Sequence, residues 1–269
     1  MLVCSHGYQG ASDCPPYLRN TLQVCQGLAK RRRTFLERPH WKTVPFVGTA
    51  KTFMDMLYDV LVHVPGLFED ACSSPHSEDS PGVPKVSIEA VEALQQDLYA
   101  WQRARDLENS RASTSRVVVP TSPLRVTAET EEQLPKLVGS NAGPRFDGID
   151  QALEMLTFNT TIICLSKLGE MLIGSHNATS QDGAPFGLTA VETRLPVHTA
   201  REMVQQCAYI AQEIKRSRSV NFLALAPVGV TYCALKSAGE LGNQLAGCIA
   251  HMFRSEDFLA ELEVFELWK

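Results

Sequence analysis

A chain of 269 residues, 44% hydrophobic and 20% charged, has ordinary globular composition, which excludes wholesale disorder and suits one large domain or two small ones. A net charge of -5 and a pI near 5.8 argue against a surface built mainly to hold nucleic acid. The opening residues hold no apolar run that would act as a signal peptide, and no stretch approaches the roughly 18 uninterrupted apolar residues of a membrane span, so the expectation is an intracellular protein without membrane contact.

Residues 1–24 read as a poorly defined N-terminal segment of a single domain. Lys30, Arg31, Arg32 and Arg33 follow as the one basic cluster. Read functionally, four successive cations suit a phosphate contact or a nuclear address. The plainer reading is a solvated helix end whose charge suits the negative end of the dipole. From 51 to 71, Phe53, Met56, Leu57, Val60, Leu61, Val64, Leu67 and Phe68 recur at three and four residues and predict an amphipathic helix. Pro65 falls inside it and predicts a kink or restart. Residues 73–84 read as a solvated loop rich in Ser, Pro and Asp.

A second helix is predicted from 87 to about 109 on the stripe Ile88, Val91, Leu94, Leu98, Trp101 and Leu107, with Ser87 as N-cap. Residues 110–146 form a long Pro-rich connection whose Val117-Val118-Val119 is too short to make a sheet. Apolar residues on most faces between 147 and 174 predict a buried central helix that Gly174 ends, with a Gly-rich loop from 175 to 196. Thr199-Ala200-Arg201-Glu202 has the pattern of a capping box opening a helix that ends near Lys215 and Arg216. Further helices are predicted at 220–235, with Pro227 inside, at 238–253, and from Ser255 onward with Phe258, Leu262, Phe265 and Trp268 on one face. The sum is an all-α fold, an irregular bundle of about seven or eight helices with long Pro/Gly-rich connections.

The search for chemistry finds no metal-binding helix pair, P-loop, dinucleotide glycine fingerprint or nucleophile elbow. Eight cysteines occur, no two closer than ten positions, so no knuckle starts a zinc site, and buried reduced thiols are expected instead. Glu69-Asp70 lacks the second acidic arm that a magnesium site would need. Gly239, Gly242 and Gly247 are spaced for close helix packing rather than for phosphate. Trp41, Trp101 and Trp268 read as core side chains. The sequons at Asn159 and Asn177 carry no meaning in an intracellular protein. No catalytic residue, cofactor or metal is expected.

Arg31-Arg32-Arg33-Thr34-Phe35-Leu36, then Pro39-His40-Trp41-Lys42-Thr43-Val44-Pro45-Phe46, then Val64-Pro65-Gly66-Leu67 together resemble a segment of fungal zinc-cluster transcription factors. There an arginine pair and a Phe-Leu step precede Trp-Lys-Thr-hydrophobic-Pro, and a helix ends in Pro-Gly-Leu. The later layout is also similar, with a Trp-bearing helix, a Pro-rich connection, a long apolar helix and a helix holding Cys207 and Tyr209. The six-cysteine cluster of that family has no counterpart here. The resemblance therefore implies the C-terminal regulatory part of such a factor, non-enzymatic and nuclear. Its implied partners are the transcription machinery or a second copy, with no sequence-specific DNA binding by the chain alone. The alternative is a helical protein whose apolar cavity takes a small apolar ligand.

Overall fold

The computed structural model describes residues 16–72, 86–115, 146, 148–179, 195–214 and 219–252. Among the described residues there are nine α-helices, two short 3-10 turns and no strand, so the fold is all-α. The helices are α1 (Pro16–Lys30), α2 (Pro39–Thr43), α3 (Phe53–Leu61), α4 (Val64–Cys72), α5 (Ile88–Ser115), α6 (Ile149–Thr179), α7 (Leu195–Ile214), α8 (Ser219–Lys236) and α9 (Glu240–Met252).

The apolar stripe from Phe53 onward forms two helices instead of one kinked rod. Thr52 opens α3 with a complete capping box: its hydroxyl accepts from the Asp55 amide at 3.1 Å, and Asp55 Oδ2 accepts from the Thr52 amide at 2.9 Å. The chain breaks at Val62-His63, and Pro65 is the second residue of α4. A proline is tolerated there because its missing N–H would have had no intrahelical partner. Leu57, Val60, Leu61, Val64 and Phe68 are buried, as the spacing predicted.

Helix α6 is the centre of the fold, packed against α3, α4, α5, α7 and α8. Leu153, Leu156, Ile163, Leu165 and Leu168 fill its contacts. Its first 25 residues are long and apolar enough to cross a membrane, but most of that stretch is buried against the other helices. Asn159, the first sequon asparagine, is buried there, and its amide donates to Gln206 Oε1 of α7 at 3.3 Å. A buried, hydrogen-bonded amide in mid-helix is not a glycan acceptor. Helix α8 forms the second hub, against α1, α6, α7 and α9, with Pro227 inside it.

Several sequence expectations change. Helix α1 takes up the last nine residues of the segment read as poorly defined and runs on to Lys30, with Thr21, Val24, Cys25 and Leu28 facing the core. Helix α5 starts beside its predicted cap, where Ser87 Oγ accepts from the Ala90 amide at 3.3 Å. It runs six residues into the expected connection, to Ser115, and Leu107 is 62% exposed instead of lying on the apolar stripe. Gly174 does not end α6, which continues to Thr179. The isolated glycine costs only about 1 kcal/mol in a helix interior, and no proline follows to enforce a stop. Helix α7 begins at Leu195, with Pro196 near its start, so Thr199 is an interior, buried residue and not an N-cap. The Val117 run, Lys215 and Arg216, and the helix expected from Ser255 with Trp268 lie outside the described residues.

Candidate functional site

The turn that follows α1 carries the basic quartet, and its geometry splits the four cations. Lys30 is the last residue of α1 and is exposed. Arg31 takes a left-handed conformation, φ 49°. Its amide donates to Leu28 O at 3.2 Å and the Arg32 amide donates to Gly27 O at 2.9 Å. These are the two bonds of a Schellman motif, which satisfies carbonyls that the helix end leaves open. Such a site favours glycine, because a Cβ crowds the backbone there. Replacing Arg31 by glycine should therefore raise stability by up to about 1 kcal/mol, read as a shift of the urea midpoint. A loss of stability would show that the Arg31 side chain, whose guanidinium lies 3.7 Å from Cys72 Sγ, outweighs the backbone term.

Arg33 turns back toward α4. Its guanidinium donates to Glu37 Oε1 at 2.5 Å and to Asp70 Oδ2 at 2.6 Å, and its amide donates to Glu69 Oε2 at 2.7 Å. Partial burial lowers its pKa, but the two carboxylates more than reverse this and hold it above the ordinary arginine value. The neighbouring acids Glu69 and Asp70, considered above as an incomplete metal site, are thus acceptors for one arginine. Gly66 makes the arrangement possible. A Cβ there would stand 2.9 Å from Glu37 Oε2 and 3.1 Å from the Arg33 guanidinium carbon.

The network continues through His63 in the break between α3 and α4. Lys42 Nζ donates to His63 Nε2, which leaves the proton on Nδ1, 3.4 Å from Glu37 Oε1. This tautomer follows from the partners. Burial lowers the His63 pKa, the Lys42 charge lowers it further, and Glu37 and Asp59 oppose both without overcoming them. The ring is therefore neutral at physiological pH. Lys51 pairs with Asp59 on the next turn of α3. Glu37 Oε2 is buried without a hydrogen-bond partner among the described residues.

What this frame holds up is an exposed apolar surface. Phe35 and Trp41 meet edge to face at 5.0 Å, in the 3-10 turn Phe35–Glu37 and the five-residue α2. Trp41 is 40% exposed, and Val44 and Val47 on the following turns are 64% and 82% exposed. The expectation of a core Trp41 is wrong. Leu36 turns inward in its place. Trp101 meets the core expectation: its indole donates to Phe53 O at 2.7 Å and stacks on Phe158 at 5.5 Å.

Of the cysteines, Cys25, Cys164 and Cys207 are buried like small apolar side chains, Cys233 and Cys248 are half-buried, Cys72 is exposed against the expectation, and Cys4 and Cys14 lie outside the described residues. Cys164 and Cys207 are fully buried, and burial pushes the Cys164 thiol up to about 12 and Cys207 well above its ordinary value. No group of three metal-ligating side chains occurs among the described residues. Sequence reasoning missed Glu37, Glu69 and Asp70 as the partners of Arg33, and the Lys42–His63 contact beside them. Only the Arg33–Glu37 spacing, four residues apart, was a local signal.

No family model matches this chain, and neither a curated protein nor a solved structure matches it.

Proposed function

We propose that this chain is a non-enzymatic, transcription-regulatory helical domain, akin to the C-terminal part of fungal zinc-cluster transcription factors and without a DNA-reading module of its own. One observation carries the reading. The separate stretches that bear the resemblance interlock: Arg33 of the first lies over Gly66 of the third, and Lys42 of the second reaches His63 beside it. A motif whose parts converge into one unit is a structural device, and here that unit presents Phe35, Trp41, Val44 and Val47 to solvent. An exposed apolar surface on a rigid frame suits contact with a protein partner better than chemistry on a substrate. The partner is the transcription machinery or a second copy of the chain, and the location is the nucleus.

The test is a fusion of the full chain to an unrelated DNA-binding domain, read through a reporter in a fungal nucleus. We expect a change in transcription that Trp41→Ala and Val47→Asp reduce, while both proteins accumulate normally. A fusion that leaves the reporter at the level of the DNA-binding domain alone would refute the proposal.

The chain alone should not select a DNA sequence. Specific readout needs side chains presented to base edges by an element seated in a groove, and the quartet is a turn with Arg33 committed to Glu37 and Asp70. The remaining cations would give weak, salt-sensitive attraction to any duplex. In a competition assay at physiological salt, excess random DNA should displace every labelled duplex equally. Retention of one sequence would overturn this expectation.

A further inference from the structure

Helix α2 has five residues and almost nothing beneath it. Pro39, His40, Trp41 and Thr43 are exposed, and Lys42 alone is partly buried. Its N-terminus has no side-chain cap, and the helix packs chiefly on the 3-10 turns before and after it. The contacts of the exposed side chains stay local: Trp41 meets Phe35 and His40, and the Thr43 hydroxyl donates to Pro39 O. A helix this short has no stability of its own, because its nucleation is unfavourable. Lys42 is different. It donates to His63 Nε2 across 21 residues of sequence, at the break between α3 and α4. This contact fixes α2 against the helical frame, seconded on the following turn by Lys51 Nζ over the Phe46 ring at 4.7 Å.

The Lys42–His63 contact depends on a lone pair. A neutral imidazole has one acceptor nitrogen and an imidazolium has none. With Lys42 donating to Nε2, the Nδ1 proton faces Glu37. A second proton can enter only at Nε2, where it displaces the ammonium and sets two cations side by side. We propose that protonation of His63 is a switch that releases Lys42, so that α2 and its Trp41 surface are held fixed at neutral pH and freed in mild acid. The charges around the ring fit this exchange. Glu37 on the 3-10 turn and Asp59 on α3 favour its charged form, whereas burial and Lys42 on α2 oppose it and prevail. Asp59 also pairs with Lys51, Glu37 with Arg33, and Arg33 in turn engages Asp70 and Glu69 of α4. None of these carboxylates loses its partner when Lys42 leaves, and Glu37 gains a charged one. The histidine is thus held below its ordinary value of 6.5 while α2 is docked. The docked form is fully favoured above that value and loses ground as pH falls below it. The switch governs how the surface is presented and stands whatever partner meets it.

Rapid hydrogen–deuterium exchange of the full chain tests the switch, read at neutral and mildly acidic pH and corrected for the intrinsic rate at each. The reporting amides are those of Trp41, Val44 and Val47, which donate within the segment to Arg38 O, His40 O and Val44 O. Opening that takes up one proton grows by at most about tenfold per pH unit, so between about pH 7.5 and about pH 5.5 we expect these amides to open about threefold or more as often. The buried amides of α6 should not change. His63→Gln keeps an acceptor and does not titrate, so the pH step should vanish. Lys42→Met removes the tie, so exchange should be fast at both pH values. A parent chain without the step would overturn the proposal, as would a parallel rise in α6, which would mean general unfolding in acid. A step of unchanged size in His63→Gln would assign it to the exposed His40 and overturn it too. So would Lys42→Met as well protected at neutral pH as the parent.

Discussion

Replacing Arg105 by alanine will destabilise the fold by about 2–3 kcal/mol at neutral pH, below the roughly 3–5 kcal/mol for breaking a fully buried ion pair because the Arg105 side chain keeps 20% of its exposure. Arg105 Nε donates to Glu154 Oε2 at 2.7 Å, joining α5 to the central helix α6. Glu154 is only 8% exposed. Burial raises its pKa, Arg105 pulls it back through charge and hydrogen bond, and nearby Asp150 adds to the rise, with a net upward shift. The shift means that desolvation outweighs the attraction even with the partner in place. The pair is thus an accommodation of a buried charge and not a source of stability, and removing one member leaves the other without compensation. Arg105 also lies over the Phe53 ring at 4.9 Å, so alanine loses packing as well.

The sign of the pH dependence separates these effects. A carboxyl whose folded pKa lies above its unfolded value binds its proton more tightly in the native state, so its contribution to stability falls as pH rises through that interval. Without Arg105 the Glu154 value moves higher still. The deficit of Arg105→Ala relative to the parent should therefore shrink as pH falls toward the ordinary glutamate value of 4.5. Urea unfolding at neutral and mildly acidic pH reads this difference. The double change Arg105→Met with Glu154→Leu should come within about 1 kcal/mol of the parent, since an apolar pair of similar shape carries no desolvation penalty. A deficit in Arg105→Ala that is independent of pH would show that packing on Phe53, and not the charge of Glu154, sets its size.

What was legible in the sequence was local. The three-and-four spacing from Phe53 to Phe68, the proline restart and the Ser87 cap all depend on neighbours within one or two turns, and each is present. The all-α class followed from the same signals repeated. Helix α1 was equally local in principle, because Thr21, Val24, Cys25 and Leu28 keep helical spacing, but threonine and cysteine made a faint stripe. Thr199 shows the opposite error. Its sequence satisfies a capping pattern, yet Pro196 three residues earlier offers a better start, and burial of Thr199 leaves its hydroxyl no role at a solvent-facing end. The candidate site was illegible for a different reason. Arg33 meets Asp70 and Lys42 meets His63 across separations of 37 and 21 residues, and no periodicity encodes which distant acid a given arginine will find. Trp41 was misread because a large aromatic in a short segment looks like core until the packing assigns Leu36 to that position.

Gly242→Ala and Gly247→Ala, five residues apart on α9, will have opposite effects. Spacing alone suggests one common role in close packing for Gly239, Gly242 and Gly247, and the structure divides them. Gly239 precedes the helix with φ +83°, so its role is conformational. Gly242 is buried where α9 doubles back on the end of α8, and a Cβ there would lie 2.2 Å from Leu235 O and 2.9 Å from Ala238 Cβ. The first of these is backbone at a helix end and cannot rotate aside. The α8–α9 turn would have to open, straining the Ser237 and Ala238 amide bonds to Cys233 O and Leu235 O, and overpacking of this kind costs about 1–3 kcal/mol or more. Gly247 is exposed, and a Cβ added there would meet nothing within 4 Å. There alanine only restricts the unfolded chain and favours the helix, a gain of about 0.5–1 kcal/mol. Thermal or urea unfolding of the two variants should place them on opposite sides of the parent. Destabilisation of similar size at both positions would mean that α9 packs along its Gly247 face as well, and the common role would have to be restored.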